Sequence, residues 1–272
     1  MRESVADFDD PRLAEYRNLS DPELLTARGA FVAEGRLVVT RLLASLRFRT
    51  RSLMLTRPAC DALSDVLDAH PGVPLYEVSQ DTMNRVTGFN MHRGCLAIGE
   101  RAPLPAPEDV LRDASLGVAL EGIGNADNVG SIFRHAAAFG AGAIVVDEAC
   151  ADPLYRKSLR TSMGASLQVP FTRATPWLDT LAAFRRAGMR LVALTPDDDV
   201  SDIDAVVETV KDDRVLLVLG HEGGGLSQAA LQACDVRARI PMADVVDSLN
   251  VATAAAIALY EVRRSRRAAP RA

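Results

Sequence analysis

The sequence is poor in lysine, aromatic residues, paired cysteines and long apolar runs, and each shortage excludes something. Lys157 and Lys211 are the only lysines among 31 basic residues; the rest are arginine. The triple glycine Gly223-Gly224-Gly225 therefore has no lysine beside it. Neither a Gly-x-x-x-x-Gly-Lys-Ser/Thr phosphate loop nor a Gly-x-Gly-x-x-Gly turn after the first strand occurs. Cys60, Cys95, Cys150 and Cys234 lie far apart, with no Cys-x-x-Cys pair and no histidine at ligand spacing. That excludes a disulfide framework and a zinc site, and the four read as small hydrophobic residues in a reducing compartment. The longest apolar stretches, such as Val215 to Leu219, are far shorter than the roughly 20 residues a membrane helix needs. The opening MRESVADFDD has no apolar signal region. A cytoplasmic, soluble protein is expected, with neither metal nor membrane as a partner.

What is present is ordinary in bulk and uneven in detail. The 272 residues are 48% hydrophobic and 25% charged, enough for a substantial core without staples. A net charge of −5 argues against a generally basic nucleic-acid binder. Residues 28–57, however, carry Arg28, Arg36, Arg41, Arg47, Arg49, Arg51 and Arg57 against Glu34 alone. Arg263, Arg264, Arg266, Arg267 and Arg271 follow near the C-terminus. Arginine forks pair with phosphates and stack on bases, although solvated helix faces would account for the same residues equally well. Within this set Arg28, Arg47, Arg49 and Arg51 are the RNA-binding candidates.

Three prolines at alternate positions in Arg101-Ala-Pro-Leu-Pro-Ala-Pro107 mark a stiff seam. Four regions follow: an N-terminal arm over 1–27, a small α/β domain over 28–102, a Pro-rich linker over 103–112 and a larger α/β domain over 113–272. In the small domain the spacing predicts a helix over 34–46 with Val39, Leu42, Leu43 and Leu46 on one face. It also predicts strands over 52–56, 75–78 and 94–99, and a helix over 59–69. In the larger domain, apolar runs at 117–120, 143–146, 190–194 and 215–219 suit strands buried on both faces of a parallel sheet. Val129, Ile132, Phe133, Ala136 and Ala137 form the buried stripe of a helix ending at Gly140. The last helix is expected to start near Ser248 and to bury Leu249, Ala252, Ala256 and Tyr260.

Ligands of open parallel sheets bind beyond the carboxyl ends of the strands, and three polar, glycine-bearing loops take that position. They are Glu121-Gly-Ile-Gly-Asn-Ala-Asp-Asn-Val-Gly130, then Leu219-Gly-His-Glu-Gly-Gly-Gly-Leu-Ser227, then Ile240-Pro-Met242 with Asp247-Ser-Leu-Asn-Val251. Alone, each has a plain structural explanation. Ser248 would be a helix N-cap, Arg134 a solvated arginine, and His221 with Glu222 a turn pair. His92 and His135 have no partner by spacing and read as structural.

Together and in this order, the three loops resemble the SpoU (TrmH-type) branch of the SPOUT RNA methyltransferases, over about residues 116–265. The upstream Phe31-Val-Ala-Glu-Gly35 and His92-Arg-Gly-Cys-Leu-Ala97 look like the substrate-binding domain, similar to small ribosomal RNA-binding proteins, that often precedes this catalytic domain. One departure stands out: the family commonly has Asp-Pro-x-Asn where this chain has Asn125-Ala-Asp-Asn128.

The resemblance implies methyl transfer from S-adenosylmethionine to a ribose 2′-hydroxyl of ribosomal or transfer RNA. It also implies a C-terminal domain threaded as a deep trefoil knot, an exception to the rule against knots, and a homodimer built on the last helix and the helix near Asn128. By motif position Leu219, Gly220, Glu222, Gly225, Ile240, Met242, Ser248 and Leu249 would hold the cofactor. Asn128, Arg134, Glu222, Ser248 and Asn250 would surround the reacting hydroxyl, with Glu222 fixing its loop and Arg134. Since those loops all lie downstream of the seam, an isolated 108–272 fragment is expected to bind the cofactor. Two rivals remain at this point: a non-catalytic RNA-binding protein of the same fold, and a nucleotide-dependent enzyme that uses the triple glycine as a phosphate cradle.

Overall fold

The structure, a computed structural model, describes residues 2–17, 19, 27–243 and 245–268. These divide into two compact units. One runs up to Pro103 and takes in Leu154–Gln168; the other comprises Leu104–Pro153 and the chain from Val169 onward.

In chain order the first unit contains β1 (Arg2–Ser4), β2 (Ala30–Glu34), α1 (Arg36–Leu43), β3 (Thr50–Thr56), α2 (Arg57–Ala62), α3 (Ser64–Asp68), β4 (Leu75–Val78), α4 (Gln80–Thr87) and β5 (Cys95–Glu100). Its sheet has the order β1-β4-β3-β5-β2, with β5 antiparallel to both of its neighbours and the other pairs parallel. The segment set apart as an N-terminal arm is partly inside this unit. β1 pairs with β4, and Leu13, Tyr16 and Leu19 are buried against Met54, Met83 and Ile98. Apolar side chains every three residues make that segment a cover on the sheet; residues 1, 18 and 20–26 of the proposed arm lie outside the described set.

Two helix expectations in this unit need correction. α1 stops at Leu43, where Ala44 caps it, so Leu46 is fully exposed instead of lying on the buried face. The helix expected over 59–69 is two short helices, because Leu63 leaves helical geometry at φ −117° and ψ 14°.

The second unit contains α5 (Pro107–Leu111), β6 (Leu116–Leu120), α6 (Ala126–Phe139) and β7 (Ala143–Val146). Chain order then gives α7 (Arg156–Thr161), which belongs to the first unit, before β8 (Phe171–Arg173), α8 (Trp177–Arg186), β9 (Met189–Leu194) and β10 (Ser201–Asp202). α9 (Ile203–Thr209), β11 (Arg214–Leu219), α10 (Gln228–Ala233), β12 (Val236–Arg239) and α11 (Val251–Ala268) complete it. Seven strands in the order β10-β12-β9-β11-β6-β7-β8 pair in parallel throughout. The four apolar runs are the central strands, and β6, β7 and residues 215–219 of β11 are buried along their whole length, as strands covered on both faces must be. Within this one unit α11 packs on α6, with Arg263 donating to the Ala138 carbonyl at 2.8 Å and the Ala252 carbonyl 3.0 Å from His135 Nδ1.

The buried face of α11 is Val251, Ala252, Ala255, Ala258, Leu259 and Val262. Ala256 is only half-buried and Tyr260 is 50% exposed, edge-on to Phe139, so the expected stripe through both is shifted around the helix. Among the described residues no helix is long and apolar enough to cross a membrane.

Candidate active site

Because every strand of the second sheet runs the same way, the loops after β6, β7, β9, β11 and β12 emerge at one edge. Three of them and the start of α11 enclose a cavity of about 320 Å³. Its apolar floor comes from Leu194, Ala238, Ile240, Leu249, Val251 and Ala254, and its polar rim from Thr195, His221, Glu222, Asp247 and Ser248. The eight residues assigned to the cofactor by motif position, Leu219, Gly220, Glu222, Gly225, Ile240, Met242, Ser248 and Leu249, all line this one space.

The loop after β11 is folded on itself. His221 and Gly225 exchange backbone hydrogen bonds at 2.9 and 3.1 Å, and His221 Nδ1 accepts from the N–H groups of Gly223 (2.9 Å) and Gly224 (3.2 Å). A Cβ on Gly220 would overlap the backbone of Gly225 and Leu226, so the glycine is there to let the loop close. Two carboxylates that sequence reasoning passed over tie the neighbouring loops together. Glu121, just past β6, accepts from both the backbone N–H and the hydroxyl of Ser227 at 2.8 Å. Asp147, just past β7, is buried and accepts from the N–H groups of Gly122 (2.9 Å) and Cys150 (2.8 Å). The Cys150 thiol in turn donates to the Leu120 carbonyl at 3.3 Å, and burial pushes it up to about 12, which keeps it protonated. Their only sequence signal was an acidic residue directly after an apolar run. Thr195, Pro196, His221 and Asp247 were likewise not assigned to the cofactor, yet line the cavity.

Asn128, Glu222 and Asn250 form one hydrogen-bonded chain. Asn128 Nδ2 donates to Glu222 Oε1, and Asn250 Nδ2 donates to Asn128 Oδ1 at 3.0 Å. Asn250 Oδ1 also accepts from the N–H groups of Ala252 (2.9 Å) and Thr253 (3.3 Å), so Asn250, not Ser248, caps α11 and Ser248 is left on the cavity rim. The departure at Asn125 is explained by the same chemistry. Asn125 Oδ1 accepts from the Asp127 N–H at 2.9 Å and caps α6, a task asparagine performs as well as aspartate. Arg134 lies apart. It is exposed on α6 and forms no ion pair or side-chain hydrogen bond among the described residues, so Glu222 does not fix it.

The four arginines expected to meet RNA are at the start of β3 and just before β2, and most have partners within their own unit. Arg49 pairs with Glu100 at 2.5 Å; Arg51 pairs with Glu15 at 2.8 Å and bonds the Arg28 and Gly29 carbonyls; Arg47 lies over the Phe48 ring. Arg28 is exposed. Near the C-terminus Arg263 and Arg266 are also occupied, Arg266 by the carbonyls of Lys211, Asp213 and Ser115, while Arg271 lies outside the described residues. Among the described residues no group of three His, Cys, Asp or Glu side chains could hold a metal ion.

Comparison with known proteins fits this geometry. A model of the SpoU rRNA methylase family matches residues 115–260. An uncharacterized tRNA/rRNA methyltransferase of Mycobacterium bovis is 45% identical over 97% of this chain and 92% of its own length. Among solved structures, the AdoMet-bound rRNA methyltransferase of Sinorhizobium meliloti superposes with a TM-score of 0.81 at 27% identity, covering 97% of this chain and 98% of that one. The methyltransferase AviRb of Streptomyces viridochromogenes in complex with AdoMet gives 0.80 at 27% identity over 94% and 99%.

Proposed function

The chain belongs to the SpoU rRNA methylase family, and from that premise we propose that it transfers the methyl group of S-adenosylmethionine to a ribose 2′-hydroxyl of structured RNA, ribosomal RNA ahead of transfer RNA. The observation that carries this reading is the meeting of all eight motif-assigned residues in one cavity, joined through Glu222 to the Asn128–Asn250 chain. The cavity fits the cofactor chemically: its floor is apolar enough for a purine, while its rim offers backbone and short polar side chains for a ribose and an amino acid. When bound, S-adenosylmethionine supplies an activated methyl group on a sulfonium.

The chain's own residues supply position and electrostatics, which can account for much of a rate enhancement. Asn128 holds the Glu222 carboxylate at the cavity wall, and Ser248 and Asn250 orient the ribose. A guanidinium already carries its proton and cannot take another, so the proton of the ribose hydroxyl leaves to bulk water. Arg134, exposed and without an ion pair among the described residues, is therefore assigned to the neighbouring phosphate and to negative charge developing on the ribose oxygen. The same reading carries a trefoil knot in the second unit, a ribosomal-protein-like RNA-binding role for the first with Arg28, Arg47, Arg49 and Arg51 as candidate contacts, a cytoplasmic location, and a homodimer. Half-buried Ala256 and Ile257 beside exposed Tyr260 offer the dimer its surface on α11.

Calorimetry with S-adenosylmethionine, ATP and NAD in parallel tests the cofactor, and only the first should give binding heat. Mapping 2′-O-methyl sites in RNA from a deletion strain tests the target. A methyl group missing from a base instead of a ribose would overturn the 2′-hydroxyl assignment.

A further inference from the structure

Resting on the reading of the chain as an RNA methyltransferase, we propose that RNA phosphates dock on the carboxyl edge of the first unit's sheet, where Arg36, Arg57, His92 and Arg93 stand together. This is the opposite edge from the one that carries Arg28, Arg49 and Arg51. β2 and β3 are each antiparallel to β5, so the ends of β2 and β3 share an edge with the start of β5. Backbone hydrogen bonds close that edge: the Gly35 N–H donates to the Cys95 carbonyl and the Thr56 N–H to the Gly94 carbonyl, both at 2.9 Å. With neighbouring strands about 4.8 Å apart, Arg36, Arg93 and Arg57 follow one another across three strands in the order β2, β5, β3.

The edge is built to hold these cations outward. Gly35 has φ +91°, which favours glycine, and a Cβ there would lie 3.0 Å from the Arg93 guanidinium, which therefore crosses directly over the turn. Arg36, His92 and Arg93 are exposed and form no ion pair or side-chain hydrogen bond among the described residues. Arg57 is 69% exposed and meets Asp61 at 3.1 Å and Glu77 at 3.9 Å, and it keeps enough exposure to turn to a phosphate, so the weight of the edge rests on Arg36 and Arg93. Glu34, at the end of β2, is buried and already held by Arg156 at 3.0 Å within the same unit. The opposite edge is matched instead: Glu100 and Glu15 take up Arg49 and Arg51. An arginine without a carboxylate partner gains most from a phosphate, and each such contact adds to the salt dependence of binding.

The test is a salt titration of the full-length chain against a labelled RNA hairpin, read by fluorescence anisotropy. Wild type is compared with the Arg36→Gln/Arg93→Gln double variant, which breaks no ion pair among the described residues, and with the triple variant that adds Arg57→Gln. The expected result is a fall in affinity of about tenfold or more at low salt, with the log–log slope reduced by about 1 to 2 in the double variant. Arg28→Gln/Arg49→Gln should change the slope by less than half as much, and S-adenosylmethionine binding should survive in every variant. A wild-type slope in the double variant, or a larger loss from Arg28→Gln/Arg49→Gln, overturns the proposal. Displacement of the hairpin by polyglutamate as readily as by unlabelled RNA would assign the edge to acidic proteins and overturn it too. A wild-type chain that binds the hairpin as expected but methylates no RNA would overturn the proposed function while leaving this surface standing.

Discussion

Asn128 and Glu222 are 94 positions apart, yet the Asn128 amide donates directly to the Glu222 carboxylate. A carboxylate accepts only, so the bond fixes which way the Asn128 amide faces. Its oxygen must then turn to Asn250, whose own oxygen caps the last helix. The first motif, the loop after β11 and the start of α11 are thus set by one chain of three side chains.

Asn128→Asp should break that chain with almost no change in shape. Two carboxylates would then face each other, and Asn250 alone would retain a partner. A loss of about 1–3 kcal/mol in urea unfolding at neutral pH is expected, together with loss of methyl transfer. The stability loss should shrink on acidification, as one of the facing carboxylates takes up a proton. An equal loss at all pH values would show that the donor, not the charge, is what matters.

Gly220→Ala should abolish S-adenosylmethionine binding because the loop after β11 can no longer close on Gly225 and Leu226. The cause lies within the loop itself, and steric conflict with the ligand is not required. Calorimetry of the folded variant checks it, and binding within a few-fold of wild type would contradict the overlap.

Arg134→Ala should remove methyl transfer, by about a hundredfold or more, while cofactor affinity stays within a few-fold, since Arg134 is not among the cavity-lining residues. Arg134→Lys separates charge from fork: lysine restores activity if charge suffices and fails if a bidentate phosphate contact is needed. Single-turnover kinetics with saturating cofactor reads both.

His135 ties α6 to the Ala252 carbonyl, and burial, against that hydrogen bond, holds its pKa below the ordinary 6.5 with a smaller contribution from Arg134. Protonation therefore favours the unfolded chain, which binds the proton more readily. Stability should be full above the ordinary histidine value, decline as the pH falls through it, and level off below the depressed folded value. His135→Gln should flatten that part of the curve in urea unfolding at a series of pH values; an unchanged curve would assign the acid sensitivity elsewhere.

Ala256→Arg places a long cation on the half-buried side of α11, beside Tyr260. Sedimentation equilibrium should find wild type as a dimer at micromolar concentration and the variant as a monomer, with methylation lost alongside. A monomeric wild type defeats the dimer, and an active monomeric variant separates assembly from catalysis.

The four apolar runs could be read from sequence because strands buried on both faces admit little but Val, Leu, Ile and Ala. β8 and β12 could not: Phe171–Arg173 has three residues, and Val236–Arg239 alternates arginine with small apolar residues at the margin of the sheet. Helix ends were misjudged where a cap decides them, at Ala44 and at Asn250. The loops of the site were legible because each is contiguous. Glu121 and Asp147 were not, because a single carboxylate at a strand end leaves no pattern until its partners at Ser227 and Gly122 are known.

The return of Leu154–Gln168 to the first unit has a consequence for how the chain is made. α7 lies on β2 with Leu159 buried, and Arg41 donates to the Met163 carbonyl at 2.8 Å. The first unit is therefore not finished when Pro103 leaves the ribosome. It waits for another 65 residues, by which time β6, α6 and β7 have already emerged, so the two units must be assembled as interleaved stretches of one nascent chain. A 108–272 fragment carries α7 without the strand that covers it. Its natural single cut does not exist: a clean dissection would remove 154–168 as well and close the gap with a short turn.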